Sequence, residues 1–135
     1  MAIKFKITKK SGGKAEGILS WTEKGLSTNV ISGPYGNGFI ELGIYRASRN
    51  FLLDKTEDAY KDPKGNCWFQ RLDPQFTTDR TEIGIHPDGN VPGTKGCIGL
   101  TIPNTKPWYD AFFSLKTGDY TVVEVVEELS VDDIV

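Results

Sequence analysis

Glycine and proline interrupt this chain too often for long helices to form. Fifteen of its 135 residues are Gly and seven are Pro, against a usual Gly share of about 7%. The apolar stretches between them run only a few residues, so short strands joined by turns are expected. Ile3, Phe5 and Ile7 alternate with Lys4 and Lys6, the period of a half-buried strand. Gly17–Trp21 reads as its hairpin partner across the Lys10–Lys14 turn, and Leu26–Ile31 extends again. The glycine-rich segment 32–38 is a loop, followed by an imperfectly alternating strand that holds Phe39, Leu42, Ile44 and Tyr45. Cys67–Leu72, Thr81–His86 and the β-branched Tyr120–Val126 read as further strands. The polar residues 54–66 form a loop long enough to be either functional or mobile.

One helix is expected. Asn104 or Thr105 can cap it, Pro107 suits its first turn, Trp108, Phe112 and Leu115 share a face, and Gly118 ends it. Trp21, Trp68 and Trp108 are expected to fill the core rather than stack on a ligand. The fold class is therefore mainly β, a largely antiparallel arrangement with one short α-helix. A single domain is expected over residues 1–129, with an acidic, frayed tail over 130–135.

Charge narrows the function classes. Sixteen Lys and Arg against 18 Asp and Glu leave a formal net charge of −2, so the basic footprint of a nucleic-acid binder is missing. No apolar run is long enough to span a membrane. The first seven residues interleave lysines with hydrophobes, and no apolar signal-peptide core follows them. Synthesis in the cytoplasm is the expectation. Two cysteines and one histidine fall short of the four ligands a structural zinc normally takes, so no metal is expected.

The informative stretch is 83–100, Ile-Gly-Ile-His-Pro-Asp-Gly-Asn-Val-Pro-Gly-Thr-Lys-Gly-Cys-Ile-Gly-Leu. It holds the sole histidine, His86, and one of the two cysteines, Cys97. A cysteine nucleophile works as its thiolate, and an imidazole within hydrogen-bond reach supplies the base that makes it. A strand ending at His86, a glycine-rich loop and a strand re-entering at Cys97 can bring the two together. Backbone amides at Gly96 and Cys97 can then serve an oxyanion. The competing reading is that Cys97 is a small buried hydrophobe and His86 a turn residue before proline.

Ile85-His86 followed by Thr94-Lys95-Gly96-Cys97-Ile98 resembles the signature of the L,D-transpeptidase family with the YkuD-type catalytic domain: Ile-His-Gly, then Ser/Thr-x-Gly-Cys-Ile/Val-Arg. The order His before Cys fits this family and argues against papain-like and NlpC/P60 peptidases. Weaker likenesses lie at Ser32-Gly33 with Gly38-Phe39-Ile40, at Cys67-Trp68-Phe69, and at Arg80–His86. The resemblance spans about residues 16–102. Four departures stand out: a short loop between His86 and Cys97, Pro87 in place of Gly or Ser, Gly99 in place of Arg, and no Thr-Pro pair before Gly38. They suggest a divergent branch, akin to short phage-borne or effector relatives.

The resemblance implies a β-sandwich of YkuD type and a cysteine enzyme acting on peptidoglycan tetrapeptide stems. Cys97 attacks the carbonyl of the third stem residue, commonly a diamino acid, and expels the terminal D-Ala. His86 takes the thiol proton and returns it to the leaving amine. The Pro87 carbonyl orients the imidazole, and the amides of Gly96 and Cys97 stabilise the oxyanion. An amine or water resolves the thioester, giving transpeptidation, exchange or L,D-carboxypeptidase activity without a cofactor. Thr94, Arg80, Arg71 and Asn90 are weaker substrate-binding candidates. Arginine forks bind carboxylates, though surface ion pairing is the favoured role of both arginines. Thr94 can hold the catalytic loop, donate to substrate or serve a plain turn, and Asn90 belongs foremost to turn chemistry. Lys95 is expected to face solvent, and Cys67 to be a core thiol. A wall enzyme without a leader is expected to reach the periplasm or cell wall by non-classical delivery, with secretion machinery or an immunity protein as further partners. The competing class is a non-catalytic β module, such as a phage structural or cell-wall-binding protein.

Overall fold

The computed structural model describes residues 2–89 and 92–129, so Asn90 and the tail 130–135 lie outside the described residues. The alternation at the start of the sequence becomes β1 (Ala2–Ser11), which buries Ile3, Phe5 and Ile7 completely. A tight turn leads to β2 (Lys14–Trp21), antiparallel to β1 with Ile3 opposite Trp21. β3 (Leu26–Ser32), β4 (Gly43–Ser48), β5 (Leu52–Asp54), β6 (Trp68–Arg71), β7 (Asp73–Pro74), β8 (Gly84–Pro87) and β9 (Ile98–Leu100) follow. The helix α1 (Lys106–Phe113) and the last strand, β10 (Tyr120–Glu127), complete the order.

All ten strands join one sheet in the order β5-β6-β8-β9-β3-β2-β1-β10-β4-β7. Two neighbouring pairs, β1 with β10 and β8 with β9, run parallel; the others run antiparallel. The protein is thus mainly β with one α-helix, as its punctuation predicts. The sheet is a continuous curled half-barrel where two separate facing sheets were expected. Curling lets a single sheet enclose its own apolar face, which a flat one leaves wet.

The enclosed core runs from Phe5 and Leu19 through Tyr45, Trp68, Ile85 and Ile98 to Val123. Trp21, Trp68 and Trp108 are each at most 2% exposed, so all three are core residues. The helix lays Trp108 and Phe112 into the open side of the curl, where the Phe112 ring lies 5.0 Å from Trp21 and 6.0 Å from Trp68. Cutting Phe112 to Ala would cost about 3–5 kcal/mol.

Local details depart from the sequence reading. The helix stops at Phe113, not at Gly118, because Ser114 Oγ donates to the Ala111 carbonyl at 2.6 Å and the chain tightens. The strand expected from Phe39 begins only at Gly43. Residues 39–42 form a loop whose Ile40 N–H is taken by the Ser32 hydroxyl at 2.9 Å. Thr105 starts the helix without a side-chain cap; instead its hydroxyl donates to Asp62 at 2.8 Å and accepts from Trp68 Nε1 at 2.9 Å. Asp62 also accepts the backbone N–H groups of Lys64, Asn66 and Thr105. Burial pushes its carboxyl up, yet these bonds outweigh burial and hold it below the ordinary carboxylate value. The polar loop 54–66 is therefore pinned to the helix start.

Candidate active site

The two parallel strands β8 and β9 place the chemistry. Ile85 pairs with Ile98 and His86 with Gly99. Paired residues share a face, so Ile85 and Ile98 point into the core while His86 points to the other side. Continuing the register by one residue sets Cys97 opposite Gly84, on the same face as His86. His86 and Cys97 are therefore diagonal neighbours on one face. Both line one cavity of about 730 Å³.

The imidazole is fixed on three sides. His86 Nδ1 lies 2.6 Å from the Pro87 carbonyl oxygen, the contact the resemblance implies. A carbonyl only accepts, so Nδ1 carries the hydrogen and Nε2 is left as the basic nitrogen. Phe69 stacks on the ring with centroids 5.8 Å apart, and Tyr60 meets it edge-on at 4.8 Å. His86 is 5% exposed. Burial pushes its pKa down to about 4, although the Pro87 bond favours the charged ring.

The thiol of Cys97 donates to the Glu82 carbonyl at 3.4 Å. Glu82 holds a left-handed backbone, φ 57°, which turns that carbonyl toward the sulfur. Burial pushes the Cys97 thiol up to about 11, opposed by the Gly84 N–H and helped by the Glu82 charge. The resting pair is therefore a neutral thiol beside a neutral imidazole. A thiolate–imidazolium pair would need one titration below neutrality and the other above it, the reverse of what burial enforces here.

Two glycines clear this face. A Cβ on Gly84 would collide with the Phe69 ring and lie 2.6 Å from the Gln70 carbonyl. A Cβ on Gly99 would meet Asp88 and Thr94 carbons at 3.0 Å each, so a side chain at the position where the resembled family carries Arg would require those neighbours to give way.

The weaker sequence candidates separate in space. Thr94 reaches the cavity wall, but its hydroxyl is committed: it donates to the Cys97 carbonyl at 2.7 Å and accepts from Gly33 N–H at 3.0 Å and Gly96 N–H at 3.3 Å. Thr94 thus holds the loop onto the Gly33 segment instead of offering a free hydroxyl to substrate. The same bond directs the Gly96 amide, expected to serve an oxyanion, at Thr94. Arg80 lies outside this cavity and clamps the 37–41 loop through the Phe39 carbonyl at 2.7 Å and the Asn37 carbonyl at 3.0 Å. Arg71 lines the cavity. Lys95 is exposed and stands on the rim. Cys67 is half-buried, its thiol donating to the Glu57 carbonyl at 3.2 Å, so it belongs to the pinned loop and not to the core.

Sequence reasoning missed Tyr60, Phe69, Glu82 and Gly84. Phe69 and Gly84 follow from register, which a period of two does not reveal, and nothing in a glutamate announces a positive φ. No known family, curated protein or solved structure matches this chain. Among the described residues, no helix is long and apolar enough to cross a membrane.

Proposed function

We propose that this protein is a cysteine-dependent acyl-transfer enzyme acting on peptidoglycan tetrapeptide stems, built as a divergent variant of the YkuD-type domain. The observation that carries the reading is His86 and Cys97 on one face of adjacent parallel strands, lining one cavity, with the imidazole held by the Pro87 carbonyl. Because both groups rest neutral, the proton moves as the bond forms. Cys97 Sγ attacks the carbonyl of the third stem residue while its proton passes to His86 Nε2. Collapse of the tetrahedral intermediate expels D-Ala, whose amine takes that proton back. Water or an amine then releases the acyl group from sulfur. The substrate class rests on the sequence resemblance, and delivery to the periplasm or cell wall, as an antibacterial effector, belongs to the same proposal.

One observation favours the alternative of a non-catalytic β module: Cys97 is only 9% exposed, and its pKa is pushed up to about 11, as for a packed thiol. Incubation with disaccharide-tetrapeptides, with and without a free D-amino acid, separates the two by mass spectrometry of the products. Tripeptide, exchanged or cross-linked products that require Cys97 and His86 support the enzyme. Untouched substrate gives the lead to the module. Lysis only when the chain is exported, abolished by Cys97→Ala, supports the effector role.

A further inference from the structure

A thiol has one hydrogen to donate, and at rest Cys97 gives it to the Glu82 carbonyl, 3.4 Å away. That hydrogen is not shared with His86 Nε2. The segment that takes it is short. Arg80 is clamped to the Phe39 and Asn37 carbonyls, and the Ile83 carbonyl accepts the Leu72 N–H at 2.8 Å. Between these anchors stand Thr81 and Glu82, both exposed. They line the cavity and also the neighbouring depression walled by Arg80 and Pro74, so an occupant of either space meets them.

Glu82 holds this place against its own backbone preference. Among the described residues it is the one non-glycine residue with a positive φ, 57°. Gly adopts that region freely and Asn with little strain, whereas other side chains are crowded there and β-branched ones most of all. Such strain persists only where surrounding contacts enforce it. The contact that Glu82 gains, an S–H···O bond, is itself weak. Strain and bond are thus of the same order, which gives the segment two settings close in energy. In one, a left-handed Glu82 aims its carbonyl at the thiol. In the other, an extended Glu82 turns the carbonyl away and leaves the hydrogen free for His86. Gly84 is held by its pairing with Arg71, and its N–H, which favours the thiolate of Cys97, stays in place in both.

We propose that the Glu82 carbonyl is an autoinhibitory latch that holds the Cys97 thiol hydrogen away from His86. The nucleophile is released when Glu82 leaves the left-handed conformation. The inference rests on the acyl-transfer reading only for what the released thiol then does.

Alkylation of Cys97 by iodoacetamide at pH 7, in a Cys67→Ser background, tests the latch without any substrate. Glu82→Gly, Glu82→Asn and Glu82→Val all remove the carboxylate and differ in their tolerance of a positive φ. Glu82→Val is expected to react about fivefold faster than the other two, while the Ile85 and Ile98 amides exchange hydrogen as slowly as in wild type. If Glu82→Val does not fold, Glu82→Ala carries the same comparison with a milder backbone penalty. Equal rates, a faster Glu82→Gly, or a rise accompanied by faster exchange at Ile85 and Ile98 overturns the proposal. Adduct formation with disaccharide-tetrapeptide is expected in the same order. Alkylation in that order with no adduct on any variant upholds the latch while the acyl-transfer reading fails. Adducts that form equally fast on all variants overturn the latch.

Discussion

The Phe69 ring lies parallel to His86, 5.8 Å away and inclined by 18°, and it reaches that place over the bare backbone of Gly84. Strand pairing and imidazole orientation are thereby linked through a missing side chain. Gly84→Ala would push a methyl into the ring and to within 2.6 Å of the Gln70 carbonyl, where backbone must move too. Destabilisation of about 1–3 kcal/mol is expected in urea unfolding, together with a larger fall in kcat than in substrate affinity. A fully active, equally stable variant would contradict the role given to Gly84.

Thr94 supplies one hydroxyl to three backbone groups. Thr94→Val keeps the shape but leaves the Gly33 and Gly96 N–H groups and the Cys97 carbonyl short of a partner. The expected loss is about 2–3 kcal/mol, with activity falling because the loop carrying Cys97 loosens. Thr94→Ser should restore most of both. Equal behaviour of the Val and Ser variants would show that the hydroxyl bonds carry little.

Burial of both reacting groups makes stability depend on pH in two windows. His86 has its folded pKa lowered from 6.5 to about 4, so the unfolded chain binds the extra proton first. Stability is full above about 6.5 and falls by on the order of 3 kcal/mol as pH drops toward 4. Cys97 has its folded pKa raised from 9 to about 11, so the unfolded chain loses that proton first. Stability is full below about 9 and falls by a similar amount as pH rises toward 11. Melting temperature against pH should flatten on the alkaline side in Cys97→Ala and on the acid side in His86→Gln. Unchanged limbs would contradict the burial effect.

The neutral resting pair also sets the thiol's chemistry. In a Cys67→Ser background, iodoacetamide should modify Cys97 slowly at pH 7, with the rate climbing about tenfold per pH unit through 9. A rate plateau below pH 7 would reveal a preformed ion pair and overturn the concerted proton transfer proposed above.

Much of the fold was legible because its strands alternate one for one and its turns carry glycine. β1, β2, β3 and β10 follow from that pattern alone. The curl was not legible, because β8 and β9 are buried and too short for any period to show, and their parallel pairing joins segments that sequence distance does not rank. His86 and Cys97 stood out as scarce, chemically able residue types either side of a glycine-rich loop. Ion pairing, the favoured reading of Arg80, is met at Glu41, 3.7 Å away, but its bonds to two backbone carbonyls were not legible, because an arginine before a candidate site looks the same whatever its fork faces. For Thr94 the sequence leaves open whether the hydroxyl holds the loop or meets substrate, and tertiary contacts decide for the loop, with Gly33 lying 61 positions away.

The central claim is that Cys97 carries an acyl group taken from a stem peptide. Intact-protein mass spectrometry of wild type and Cys97→Ala, quenched in acid shortly after mixing with disaccharide-tetrapeptide, tests it most directly. The account predicts an adduct on wild type equal to the donor minus D-Ala, lost on hydroxylamine treatment and missing from Cys97→Ala. Wild type that neither gains mass nor releases D-Ala at any time, or a Cys97→Ala variant that releases D-Ala equally fast, would contradict it.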